Sequence, residues 1–139
     1  MFTVLTGIQV YPIHISQKMG QMLTRLIHDS GVNTSGGVIV NFRDPEYSAE
    51  TGGYHPVEVG IDPLGKIHYV TDFSFVGPPG YAELEKQLDW DIRYGAFQHQ
   101  GREYQITQGR SMYQIWERNF LAYVGMGVFK VQVTGMGME

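Results

Sequence analysis

A turn with its own chemistry, Asp62-Pro63-Leu64-Gly65, sits between two runs of alternating apolar residues and confines the middle of the chain to an antiparallel hairpin. Proline suits the second position of a type I turn, and glycine takes the left-handed bulge position that follows, so the turn sets the register. Ile61 is expected to face Ile67, Val59 to face Tyr69 and Val57 to face Thr71, with the apolar sets on one side. On the other side Gly60 meets His68, Glu58 meets Val70 and Pro56 meets Asp72. A slip of one residue would put the apolar sets on opposite faces, so this register is self-consistent.

Around the hairpin the pattern predicts alternating helices and strands. Phe2, Val4, Ile8 and Val10 share one parity until Pro12 interrupts, which reads as an edge strand over residues 2–13. Ser16 is a good N-cap for a helix whose stripe is Met19, Met22, Leu23, Leu26 and Ile27, ending at Gly31. Val38, Val40 and Phe42 share a strand face, and Phe73 and Phe75 prolong the hairpin's second strand until Gly77-Pro78-Pro79-Gly80 breaks it. YAELEKQLDW, with Tyr81, Leu84 and Leu88 aligned, predicts a short helix. Residues 92–106 read as two strands turning near Gln100-Gly101.

The last helix has the clearest start signal, an S-x-x-Q capping box at Ser111 and Gln114. Its expected stripe is Met112, Ile115, Trp116, Asn119, Phe120 and Tyr123, with Asn119 as a buried amide. Phe129, Val131 and Val133 close the chain as a strand, and residues 134–139 read as a flexible tail. The fold class is therefore α+β: a mostly antiparallel sheet of about five to seven strands, with two main helices and one short helix packed on it. The 139 residues form a single domain, 1–139, with no repeat or linker.

Composition narrows the function classes. Without cysteine there is no disulfide, thiolate metal site or cysteine nucleophile, and a reducing cytoplasm suits the chain. The net charge is -4 and the ten basic residues are scattered singly, so the phosphate-neutralising term behind nucleic-acid affinity has no obvious source. MFTVLTGIQVYPIHI has no basic n-region, and no apolar run approaches the ~20 residues of a membrane span. The expected setting is the cytoplasm, with no membrane partner.

The chemistry-bearing residues gather in residues 38–59, VIVNFRDPEYSAETGGYHPVEV. The connection following Phe42 is roughly twice the usual length, and such loops are often functional. The sharpest enzymatic arrangement is Asp44, His55, Glu58 and Asp72, binding a divalent metal or acting as acid and base. Strand geometry opposes it, because His55 points with Val57 to the core side while Glu58 points away. His55 then reads as a buried or half-buried histidine bonded to the loop. Glu58 and Asp72 read as a carboxylate pair on the solvated face, near His68. Asp44 caps the Pro45 turn, and Arg43 pairs with Glu46 or Glu50. No metal-ligand spacing, nucleophile elbow or phosphate-binding glycine pattern occurs, so no catalytic residue, metal or cofactor is assigned.

The runs NFRDPEYSAETGGYHPVEV, YVTDFSF, YAELEKQLDWD and IWERNFLAYVGMGVF together resemble the domain of unknown function 2787 family of small bacterial proteins, over nearly the whole chain. The resemblance implies one complete domain and carries over no activity or catalytic residue. The reading favours a non-enzymatic module that binds another protein through the 43–55 loop and the adjoining Gly77 to Tyr81 turn. Its candidate binding residues are Arg43, Asp44, Tyr47, Tyr54, His55, Glu58 and Asp72. The second reading is a small-molecule binder or hydrolase-like enzyme with a carboxylate and histidine cleft. Self-association is left open.

Overall fold

The structure is a computed structural model that describes residues 1–137. Seven strands form one antiparallel sheet in the order β6-β5-β4-β3-β2-β1-β7. In chain order the elements are α1 (Gln17–Ser30), β1 (Val38–Arg43), β2 (Val57–Ile61), β3 (Ile67–Val76), β4 (Glu83–Asp91), β5 (Ala96–His99), β6 (Arg102–Gln105), α2 (Arg110–Gly125) and β7 (Lys130–Gly135). A 3₁₀ turn, Ile106–Gly109, leads into α2. The architecture is α+β, a single antiparallel sheet carrying two helices.

The first helix forms as its sequence dictates. Ser16 Oγ accepts the Met19 N–H at 3.1 Å, Gly31 closes the helix in the left-handed region, and Met19, Leu23 and Ile27 are buried. Directly paired residues share a face, so Val133, Val40, Val59, Val70, Trp90 and Phe97 form one row on the helix side of the sheet. All of this row except half-buried Val133 lies in the core. The opposite face carries the row Asn41, Glu58, Thr71, Asp89 and Gln98.

The hairpin keeps the expected pair Ile61 and Ile67 beside its turn, but beyond it Gly60 pairs with Tyr69, Val59 with Val70 and Val57 with Asp72. His68 is an extra residue on β3, a bulge that lets both strands keep their apolar residues inward. The bulge moves Tyr69 to the polar face and Asp72 to the helix face.

Other local expectations yield to tertiary pairing. YAELEKQLDW is strand β4, not a helix: it bonds β3 on one side and β5 on the other, and Trp90 is fully buried. Its helix-forming residues lose to the hydrogen bonds that an unpaired β3 edge would forgo. Residues 2–13 are not a strand. They turn at residues 7–10 and run irregularly, held by the Leu5 N–H on Gly65 O at 2.8 Å and by Tyr11, whose hydroxyl donates to Leu5 O and accepts the Ile67 N–H.

The Ser111 and Gln114 box does not start α2. The 3₁₀ turn begins a full turn earlier, with Gln108 Oε1 accepting the Gln105 N–H at 3.2 Å. The buried stripe is Tyr113, Glu117 and Phe120, while Met112, Ile115 and Asn119 are exposed, so Asn119 is not a buried amide. Thr134 and Gly135, expected in the tail, belong to β7 and pair with Ile39 and Val38. Met138 and Glu139 lie outside the described residues.

Candidate functional site

The loop joining β1 to β2 is built on Asp44. Its Oδ1 accepts the Glu46 N–H at 2.9 Å, its Oδ2 accepts the Tyr54 N–H at 3.0 Å, and its carbonyl accepts the Tyr47 N–H. One buried carboxylate therefore gathers the start and the end of the loop. Gly53 makes this possible: with φ +139°, a Cβ there would stand 2.8 Å from Asp44 Oδ2 and 3.0 Å from Tyr47 Cα. Ser48 and Gly52 exchange backbone bonds and close the loop's outer turn. Arg43 is exposed, and among the described residues no ion pair joins it to Glu46 or Glu50.

The loop's far end delivers His55 to the helix side of the sheet. His55 Nδ1 lies 2.7 Å from Asp72 Oδ1, and the Trp116 indole N–H donates to Asp72 Oδ2 at 2.9 Å. His55 thus bonds β3 rather than its own loop. The hydrogen bond to Asp72 raises the His55 pKa above its usual value, partial burial opposes this, and the Asp72 charge adds to the rise. Its side chain is 40% exposed against 10% for Asp72, so the imidazole stands at an opening.

That opening is a cleft of about 350 Å³ lined by Tyr54 and His55 from the loop, Asp72 from β3, Trp116, Asn119 and Tyr123 from α2, and Phe129 before β7. Its walls are aromatic: Tyr54 and Tyr123 lie 4.6 Å apart, and Trp116 stacks on Phe120 at 4.8 Å.

The structure separates the candidate residues into three places. His55, Asp72 and Tyr54 meet in the cleft, and Tyr47 stands beside them, its ring 5.5 Å from His55 and 5.2 Å from Phe75, with its hydroxyl on the Phe75 N–H. Asp44 lies within the loop as its organiser. Glu58 is on the opposite face of the sheet from Asp72, where it accepts the Tyr69 hydroxyl at 2.5 Å, so the expected carboxylate pair does not exist. The neighbour of Glu58 on that face is Thr71, whose hydroxyl donates to Asp89 at 2.7 Å; burial raises the Asp89 pKa, with Thr71 and Lys86 opposing. His68 pairs instead with Asp62 at 3.2 Å. Among the described residues no three His, Asp or Glu side chains converge as metal ligands.

Residues 17–134 match the family described as protein of unknown function (DUF2787). The chain belongs to this family. Two solved structures resemble this DUF2787 protein closely. One is a hypothetical protein from the VSP-II pathogenicity island of Vibrio cholerae, 34% identical, with a TM-score of 0.79 over 90% of this chain and 97% of that one. The other is a conserved hypothetical protein from pathogenicity island VPI-2 of Vibrio cholerae O1 biovar eltor, 35% identical, with a TM-score of 0.77 over 89% and 97%. The latter is described as sharing structural homology with the human P32 protein. No curated protein matches this DUF2787 chain. No helix among the described residues is long and apolar enough to cross a membrane.

Trp116, Asn119, Tyr123 and Phe129 of this DUF2787 protein line the cleft but were not among the candidates. A signal existed for Trp116, because a half-buried indole N–H requires an acceptor. The acceptor is Asp72, which only the His68 bulge turns toward α2.

Proposed function

We propose that this DUF2787 protein is a non-enzymatic binding module of the bacterial cytoplasm whose partner is another protein. Its recognition surface is the tip of the β3–β4 hairpin together with Tyr47 of the loop. The observation that carries this reading is a set of exposed apolar side chains at the hairpin tip: Phe75 (36% exposed) and Leu84 (44%) on one face, Val76 (46%) on the other, and Tyr81 (80%) in the turn. Phe75 and Leu84 are a cross-strand pair, and Tyr47 stacks on Phe75 at an interplanar angle of 27°, so tip and loop form one ridge. Contiguous exposed apolar groups of this kind mark interaction surfaces.

The ridge also has a charge signature. Glu46 and Glu50 of the loop that carries Tyr47 are exposed, and they favour a partner with an apolar pocket rimmed by lysine or arginine. Arg43, Asp44 and His55 do not converge in one cleft, which weighs against the hydrolase-like alternative. A cysteine-free chain suits the reducing cytoplasm.

The test places a photo-crosslinking amino acid at position 81 in cells, with position 94, in the β4–β5 turn and 74% exposed as tyrosine, as the control. A discrete protein adduct is expected at 81 and not at 94, and Phe75→Ser with Leu84→Ser removes it. The same adducts at both positions, or none at 81, would overturn the reading.

A further inference from the structure

We propose that the cleft between the β1–β2 loop and α2 binds a small aromatic carboxylate. The proposal is independent of the protein-binding ridge and rests on what the lining can offer. Asp72 is occupied through both oxygens, by His55 at 2.7 Å and by Trp116 at 2.9 Å. The polar groups that remain among the lining side chains are the His55 Nε2, the Asn119 amide and the Tyr54 and Tyr123 hydroxyls. The amide and the two hydroxyls can donate, Nε2 donates when the ring is doubly protonated, and no second carboxylate lines the cleft to repel an anion.

The histidine is the anchor. With Nδ1 held on Asp72, its tautomer and ring orientation are set, and Nε2 becomes the atom presented to a ligand. The Asp72 hydrogen bond that raises the His55 pKa also favours the doubly protonated ring, a charged donor for a carboxylate.

The rest of the cleft selects a ring. Tyr54, Trp116, Phe120, Tyr123 and Phe129 wall it, and edge or face contacts with a planar ligand are the arrangement such side chains favour. Aromatic walls would equally attract a cation, but both oxygens of Asp72, the cleft's one carboxylate, are already engaged by His55 and Trp116. At about 350 Å³ the site stands near the lower end of ligand pockets, which run from about 300 to 1,000 Å³, so it suits a molecule of one or two rings. A free acid fits better than a peptide terminus, because the β2 and β3 residues that line the cleft, Val57 and Asp72, pair with each other and leave no edge there for a peptide backbone.

The test uses phenylacetate as probe, with benzylamine and phenylacetamide as charge controls and a short peptide ending in phenylalanine as the peptide control. Nuclear magnetic resonance follows the Trp116 and Trp90 indole N–H signals, assigned with Trp116→Phe. Phenylacetate is expected to move the Trp116 signal saturably and leave Trp90 nearly still. His55→Gln removes a charge-assisted hydrogen bond and Asn119→Leu fills the opening, so each weakens binding about tenfold or more. Asn119 is exposed, so its variant keeps the fold, which an unchanged thermal midpoint verifies. Three results would overturn the proposal: no saturable shift at millimolar phenylacetate, benzylamine or the amide binding as tightly as the acid, or the peptide binding more tightly than the free acid.

Discussion

His55 Nδ1 and Asp72 Oδ1 stand 2.7 Å apart, and this contact joins the end of the long loop to a central strand of the sheet. The partners come from regions 17 residues apart in sequence, and α2 completes the arrangement through Trp116. Loop, sheet and helix thus meet on one carboxylate.

The first prediction concerns pH. The folded-state pKa of His55 is raised, so its contribution to stability is fully present below the ordinary histidine value of about 6.5 and is lost as pH rises through the folded value. The charged partner facing it is Asp72 of β3, and the Tyr47 ring lies 5.5 Å away. Urea unfolding of the wild type and His55→Gln should show the largest difference near pH 5.5 and a smaller one at pH 8.5. A difference that grows with pH would mean that the imidazole is held neutral.

The second concerns the loop's organiser. Asp44→Ala removes the acceptor of two backbone N–H groups, those of Glu46 and Tyr54, and should cost about 2 kcal/mol. Amide exchange should accelerate most at those two residues. Unchanged exchange there would show that the loop keeps its shape without this carboxylate.

The third concerns the contact between the helices. Glu117 Oε2 accepts the Ser16 N–H at 3.1 Å and the Tyr113 hydroxyl at 2.8 Å, and the glutamate is buried. Burial, followed by the Glu117 charge, pushes the Tyr113 pKa well above its usual value, so the phenol stays a donor. Glu117→Ala leaves both donors unmatched and should cost about 3 kcal/mol in chemical denaturation. Glu117→Gln keeps an acceptor oxygen and should recover most of that loss.

The fourth concerns the polar face. A Cβ on Gly60 would lie 2.2 Å from Tyr69 Cε2, so Gly60→Ala must displace the ring and break its bond to Glu58. The expected loss is about 1 kcal/mol, and it should nearly vanish when Tyr69 is already alanine. Equal losses in both backgrounds would place the strain in the backbone instead.

Short-range signals suffice for α1 but not for β4. In α1, the Ser16 cap, the stripe and the Gly31 stop are all short-range signals, and packing agrees with them. In β4, the residues Glu83 to Asp91 favour helix locally, yet the segment fills the place between β3 and β5. The same contrast divides the candidate residues. Asp44 acts on N–H groups of its own loop, and its role follows from the chain nearby. Asp72 acts on a histidine and a tryptophan that only folding brings to it.

From the sequence alone came the hairpin and its Ile61 and Ile67 pair, the first helix, the long loop with its Asp44 turn, and the inward aim of His55. These depend on steric limits and hydrogen bonds that act within a few residues. Tertiary structure alone decided the bulge at His68, the strand at β4, the rotation of α2 and hence the cleft. The reason is that a sheet must pair every interior backbone group while keeping apolar residues inward, and that condition is satisfied only across strands distant in sequence.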